Sequence, residues 1–275
     1  MFALSVLFGA VVGFALGLTG GGGSIFAIPL LVYGLGIEPQ QAVGVSLAAV
    51  GTTALLGSLH RLRGGEVEVG IGLLFSAAGM AGAPIGAWLG SLLSGRVLML
   101  LFAALMAAVA VRMWRHAAAE AKAMNAPEQA QTSPNRRMPR AMCDRDESGH
   151  VCWSWRCGVG LALLGLVTGV LAGLFGVGGG FVIVPALVLI SGIAIHRAVA
   201  TSLIVVALIS GAGVLAFIRD RELPIDITLL FVLGGVLGLA AGTRLGRKLS
   251  GPRLQQVFAV VIVALAAFVT VRNLV

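Results

Sequence analysis

Long apolar runs separated by short polar turns dominate the chain. They cover residues 2–18, 25–36, 42–59, 69–89 and 98–113 and, after a polar stretch, 158–174, 181–192, 198–218, 225–245 and 254–271. A helix needs about 20 apolar residues to span the hydrocarbon, so the longer runs predict spanning helices and the short run at 25–36 falls short of an upright crossing. A glycine cluster precedes it. Residues 14–29 read FALGLTGGGGSIFAIP, with Gly20, Gly21, Gly22 and Gly23 consecutive and Pro29 beyond them. Residues 170–185 repeat the pattern as VLAGLFGVGGGFVIVP, with Gly176, Gly178, Gly179 and Gly180 in the break and Pro185 beyond. Glycine is costly to hold in a helix interior, so each cluster predicts an unwound turn between helical segments. Backbone freed from a helix at membrane depth must be satisfied by protein, water or ligand, so such breaks line cavities. A close helix crossing is the plainer reading, and recurrence in register argues against it.

The recurrence extends through the chain. A shift of about 156 positions lays Gly13 on Gly169, Pro29 on Pro185, Ser46 on Ser202, Gly57 on Gly213, Arg63 on Arg219 and Glu66 on Glu222, with roughly 34 identities over about 90 positions. Shared Pro, Ser, Arg and Glu are not explained by composition, so the chain is an internal duplication. It divides into a first transmembrane repeat (1–115), a linker (116–155) and a second repeat (156–275). Two homologous helical units are the ordinary plan of secondary transporters, with substrate held where the repeats meet. Gly9, Gly13 and Gly17 match Gly165, Gly169 and Gly173, and Gly82, Gly86 and Gly90 match Gly238, Gly242 and Gly246. Four-residue spacing puts each trio on one helix face, where it serves close helix packing.

Composition agrees with the pattern. Of 275 residues 58% are hydrophobic and 11% charged, with 40 glycines, whereas a soluble domain carries about a quarter charged residues. The chain is therefore read as an all-α polytopic membrane protein whose partners are the lipid bilayer and a small solute, with a homo-oligomer left open. A net charge of +8 raises nucleic acid as a partner, but the basic residues lie at segment ends and in the linker, where they act as topology signals. The N-terminus lacks a basic region and a cleavage site, so the first run is expected to stay in the mature protein. Basic residues place the linker and the His60–Arg63 turn in the cytoplasm. Four spans per half give parallel repeats; five give inverted ones.

The paired glycine stretches and the Ala-Val-x-x-Ser-Leu that follows each, at 42–47 and 198–203, resemble the TauE/SafE family of membrane transporters. That family contains proposed exporters of sulfite and organosulfur anions. The resemblance implies about eight transmembrane helices plus two glycine-broken, re-entrant elements in a bacterial inner membrane. It marks Gly20, Gly21, Gly22, Gly23, Ser24, Pro29, Ser46, Gly178, Gly179, Gly180, Pro185 and Ser202 as the substrate-binding positions. The linker, with its cysteines, is less typical of the family.

Chemistry is narrowed by what the sequence lacks. No GxxxxGK[ST] loop is present, so no nucleotide cofactor is expected. Glu38, Glu66, Glu68, Glu222 and Asp226 all stand at or near segment ends, leaving no obvious buried proton relay. Amides at the helix starts after each break, with hydroxyls of Thr19, Ser24, Ser46, Thr52, Thr53, Thr201, Ser202 and Ser210, suit a sulfite, sulfate or sulfonate headgroup. Ser46 and Ser202 stand out because they are repeat-related. Arg244 is read as snorkelling to the interface. Ser24 with His60 raises an intramembrane hydrolase, but no third orienting group is evident and Gly180 replaces Ser24 in the second half. Cys143, His150, Cys152 and Cys157 match no familiar zinc spacing, so no metal is assigned and free cytosolic thiols are expected. The function so predicted is non-enzymatic secondary transport, export of a small sulfur-containing anion, with proton- or sodium-coupled uptake as the alternative.

Overall fold

The structure, a computed structural model, describes residues 2–20, 22–65, 67–124, 155–191, 193, 195–220, 223–246 and 251–274. Gly21, Cys143, His150, Cys152 and linker residues 125–154 lie outside them. Every regular element among the described residues is helical: α1 (Phe2–Thr19), a 3-10 turn (Gly22–Phe26), α2 (Ala27–Pro29), a π turn (Leu30–Gly34), α3 (Pro39–Arg63), α4 (Val69–Leu92), α5 (Gly95–Met124), α6 (Trp155–Phe175), α7 (Gly180–Ser191), α8 (Ile195–Asp220), α9 (Ile225–Gly246) and α10 (Gly251–Leu274). The chain forms two compact units. One holds residues 1–95 and 141–246; the other holds 96–140 and 247–275, and so most of α5 together with α10.

Six helices among the described residues are long and apolar enough to cross a membrane: α1, α4 and α9, with most of α3, α6 and α8. The apolar parts of α5 and α10, Gly95–Val111 and Ile262–Arg272, are shorter. Against the eight full spans expected, six such helices are found among the described residues, all in the first unit.

In that unit α3 and α8 form the central pair, and they are antiparallel. A methyl on Gly44 would lie 2.5 Å from Phe217, and one on Gly51 2.8 Å from Ser210 Cβ. One on Gly57 would lie 3.5 Å from Leu203, and one on Gly213 3.0 Å from Leu47. Since α3 and α8 are equivalent helices of the duplication, their opposed directions mean that the repeats are inverted. The parallel arrangement implied by four spans per half is not what the chain adopts. The cause is local: after Gly20 the broken segment turns back along α1, so that Gly34 comes up against Phe8. Chain direction is therefore reversed once more in each half than a four-span count allows.

The outer pairs are exchanged between repeats. Helix α1 packs on α9 and α6 packs on α4, each pair parallel and backbone to backbone. A methyl on Gly9, Gly13 or Gly17 would overlap Phe231, Gly235 or Leu239; one on Gly165, Gly169 or Gly173 would overlap Phe75, Gly79 or Ala83. Gly82 and Gly86 press equally close on Leu166 and Val170, while Gly90 makes ordinary contact with Leu174. Lipid supplies no hydrophobic force between helices, so this closeness of approach is what holds the pairs. Phe75 and Phe231, equivalent in the two repeats, are both fully buried at these seams.

Candidate functional site

Both breaks turn at a glycine held in the left-handed region, Gly20 at φ 74° and Gly176 at φ 65°. Each still bonds back into its helix: Gly20 N–H donates to Leu16 O at 2.7 Å and Gly176 N–H to Ala172 O at 2.8 Å. Side chains are excluded at both points, because Val199 of α8 presses on Gly20 and Val43 of α3 on Gly176. Val43 and Val199 are themselves repeat equivalents.

The two predicted serines meet these turns across the repeat boundary. Ser46 Oγ donates to Gly176 O at 2.6 Å, and Ser202 Oγ donates to Gly20 O at 2.6 Å, with Val199 O a second acceptor at 2.9 Å. Both hydroxyls are fully buried. Each repeat therefore holds the carbonyl that the other repeat's break frees from its helix. In apolar surroundings such a carbonyl must find a donor. Sequence reasoning singled out these serines without finding their acceptors, although the signal was present: Ser46 follows Gly20 at the same distance as Ser202 follows Gly176.

Beyond the turn the halves differ. In the first, Thr19 Oγ1 donates to Ala15 O at 2.8 Å and accepts from Gly23 N–H at 3.1 Å, so a side chain caps the broken segment. Gly23, Ser24 and Pro29 are buried there. In the second half Phe175 stands where Thr19 would be. Gly178 and Gly179 take φ 65° and 69°, and Gly179 O accepts from Val182 N–H at 2.9 Å and Ile183 N–H at 3.1 Å, starting α7 at Gly180. The side chain of Pro185 lies outside the described residues. The 3-10 turn of the first break packs on α7 of the second, which brings the two breaks together.

The remaining hydroxyls divide clearly. Thr52 Oγ1 bonds back to Ala48 O at 2.7 Å, an ordinary helix contact. Thr201 Oγ1 accepts from Glu68 N–H at 3.0 Å, beside an Arg197–Glu68 ion pair of 2.8 Å that ties the α3–α4 turn to the start of α8. That pair is half exposed and contributes little. Thr53 lines a void of about 10 Å³ between α1, α3 and α9, too small for an anion. Ser210 Oγ is fully buried and has no hydrogen-bond partner among the described residues. Arg244 is exposed in the last turn of α9. Cys157, expected as a free thiol, is instead disulfide-bonded and fully buried at the start of α6; burial shields the sulfur and the other two cysteines lie outside the described residues.

Comparison with known proteins identifies a family. Residues 5–269 match the family described as Sulfite exporter TauE/SafE. A "Probable membrane transporter protein" of Xylella fastidiosa strain Temecula1 is 34% identical over 268 residues, covering 96% of this chain and 93% of its own. The "Probable membrane transporter protein YunE" of Bacillus subtilis is 26% identical over 269 residues, covering 95% and 94%. No solved structure matches the chain. With nearly its whole length matched, the chain belongs to the sulfite exporter TauE/SafE family of membrane transporters.

Proposed function

We propose that this protein exports a small sulfur-containing anion, sulfite or a short sulfonate, through the region where its two glycine breaks meet. The observation that carries the reading is the pair of symmetry-related bonds from Ser46 and Ser202 to the break carbonyls of the opposite repeat. They make the two breaks one mechanical unit at the junction of the repeats. The residues there, Gly20 to Ser24, Pro29, Gly178 to Gly180 and Pro185, contribute backbone polarity without charge, and Gly21 belongs to the same stretch by sequence. Such a site takes an anion through amides at helix starts. Ser46 and Ser202 act as positioning residues. The hydrolase alternative lacks support of this kind, since Ser24 is buried within the first break.

Direction follows from charge. Within the six long apolar helices every Asp, Glu, Lys or Arg lies within two residues of an end, leaving no carboxylate to relay a proton. An anion leaving a cell with a negative interior gains roughly 2.3 kcal/mol per charge for each 100 mV, so export needs no coupling ion. Uptake driven by protons or by sodium held on carbonyl oxygens is the competing reading. Proteoliposomes loaded with sulfite, sulfate or methanesulfonate, with the potential clamped by potassium and valinomycin, separate the two. Efflux should rise with inside-negative potential. Efflux that ignores voltage and follows an imposed pH or sodium gradient contradicts the export reading, and a protein that moves none of these anions contradicts the substrate class.

A further inference from the structure

The two breaks are built on one plan, but one of them carries a polar group that the other lacks. Gly178 sits at the middle of the α3/α8 pair: a methyl there would lie 3.0 Å from Ser210 Oγ, 3.0 Å from Val206 and 3.3 Å from Val50. Under the duplication Val50 and Val206 exchange places, Gly178 corresponds to Gly22, and Ser210 corresponds to Ala54. Ala54 is fully buried and fits its site as alanine. Ser210 is equally buried, and its hydroxyl has no hydrogen-bond partner among the described residues. A buried hydroxyl without a partner is destabilising, and a serine inside a helix ordinarily relieves this by bonding back to the preceding turn. This one points instead at the break, one residue pair ahead of the start of α7. The first break is closed by contrast: Thr19 already caps Gly23 N–H, and the position equivalent to Ser210 is an alanine.

We propose that the substrate anion is bound asymmetrically, at the second break alone, with the Ser210 hydroxyl as a donor to its oxygen alongside the amides at the start of α7, and that the first break is a structural counterpart that binds nothing. This rests on the anion-export reading above and narrows its site to the second break, leaving Gly20 to Ser24 and Pro29 a structural part in place of a binding one. In the structure the break residues 175–180 are all buried, so the hydroxyl waits without a partner in a shut state. A methyl on Gly178 alone would crowd Ser210, Val206 and Val50, so the ligand, a small tetrahedral or pyramidal oxyanion, enters only when the second break parts from the α3/α8 pair.

The test combines stability with flux in the full-length protein, using sulfite and sulfate as probes. Ser210→Ala copies the residue the first repeat already tolerates, so it should insert normally and melt at the wild-type temperature or above when no anion is present. Its anion-induced rise in melting temperature should vanish and its efflux should fall about tenfold or more, the scale of a lost bond to a charged group. Ala54→Ser, the mirror change, should not raise either quantity. Wild-type flux and wild-type anion stabilisation in Ser210→Ala overturn the assignment. So does a Ser210→Ala protein that is less stable without anion, because the hydroxyl would then have a structural partner. Failure of the wild-type protein to move or bind either anion instead defeats the export reading itself.

Discussion

Ser46 and Ser202 show how much a single hydroxyl can be asked to do in an apolar interior. Each holds one carbonyl that helix breakage has freed, and both serines are fully buried from solvent. Removing the donor leaves that carbonyl stranded, and interhelical bonds of this kind in membranes contribute about 1 kcal/mol. Ser46→Ala and Ser202→Ala should each lower the melting temperature by about 2–4 °C. Thermal unfolding of the purified variants checks this. Thr52→Ala, which loses only a bond to its own helix, should fall by less. A Ser46→Ala protein as stable as the parent would mean that Gly176 O needs no donor. Residue chemistry of this kind was only partly legible in the sequence. That the serines mattered could be read from their register, but their acceptors are 130 and 182 positions away, and no local pattern connects donors and acceptors that distant.

At the scale of elements, the seams and the breaks use glycine for different reasons. In the α1/α9 and α4/α6 seams it is absence of volume that counts. Gly13→Leu or Gly169→Leu must push apart helices whose backbones touch, which as overpacking costs about 1–3 kcal/mol. Both should lower folded yield and melting temperature, whereas Gly211→Ala, whose added methyl meets nothing within 4 Å, should change neither. Fluorescence-detected size exclusion of the three variants distinguishes them. In the break it is the backbone conformation that counts. Gly179→Val places a β-branched residue at φ 69° with its Cβ 2.5 Å from Thr168, against a left-handed penalty of roughly 1–2 kcal/mol. Transport should be abolished while insertion is retained; wild-type flux in this variant would reduce the break to a packing device. Four-residue glycine spacing made the seams readable in advance. What could not be read was which helices they join, since pairing α1 with α9 and α6 with α4 is a property of the inverted assembly.

For the molecule as a whole, inversion is the property from which the others follow. Two opposed copies place one break toward each end of the α3/α8 pair and let each copy clamp the other, an arrangement suited to alternating access. The spacing of apolar runs established helices and duplication but not handedness, because basic residues count almost equally for both forms. With the fold known, the count is no longer even. The end of the first unit where α3 finishes gathers Arg61, Arg63, Arg156, Arg197 and Arg244, against Arg219 at the other end among its described residues, so the positive-inside rule predicts that the first end faces the cytoplasm. The Cys157 disulfide stands at that same end, where a reducing cytoplasm would oppose it, so the arginines and the disulfide point to opposite faces. Sidedness is therefore the measurement that bears most directly on the account. With the native cysteines replaced by serine, Gly64→Cys at the end of α3 and Leu223→Cys before α9 are to be probed in intact cells with a membrane-impermeant maleimide. The inverted fold predicts labelling of Leu223→Cys from outside and of Gly64→Cys only after permeabilisation; labelling of both from the same side would contradict it.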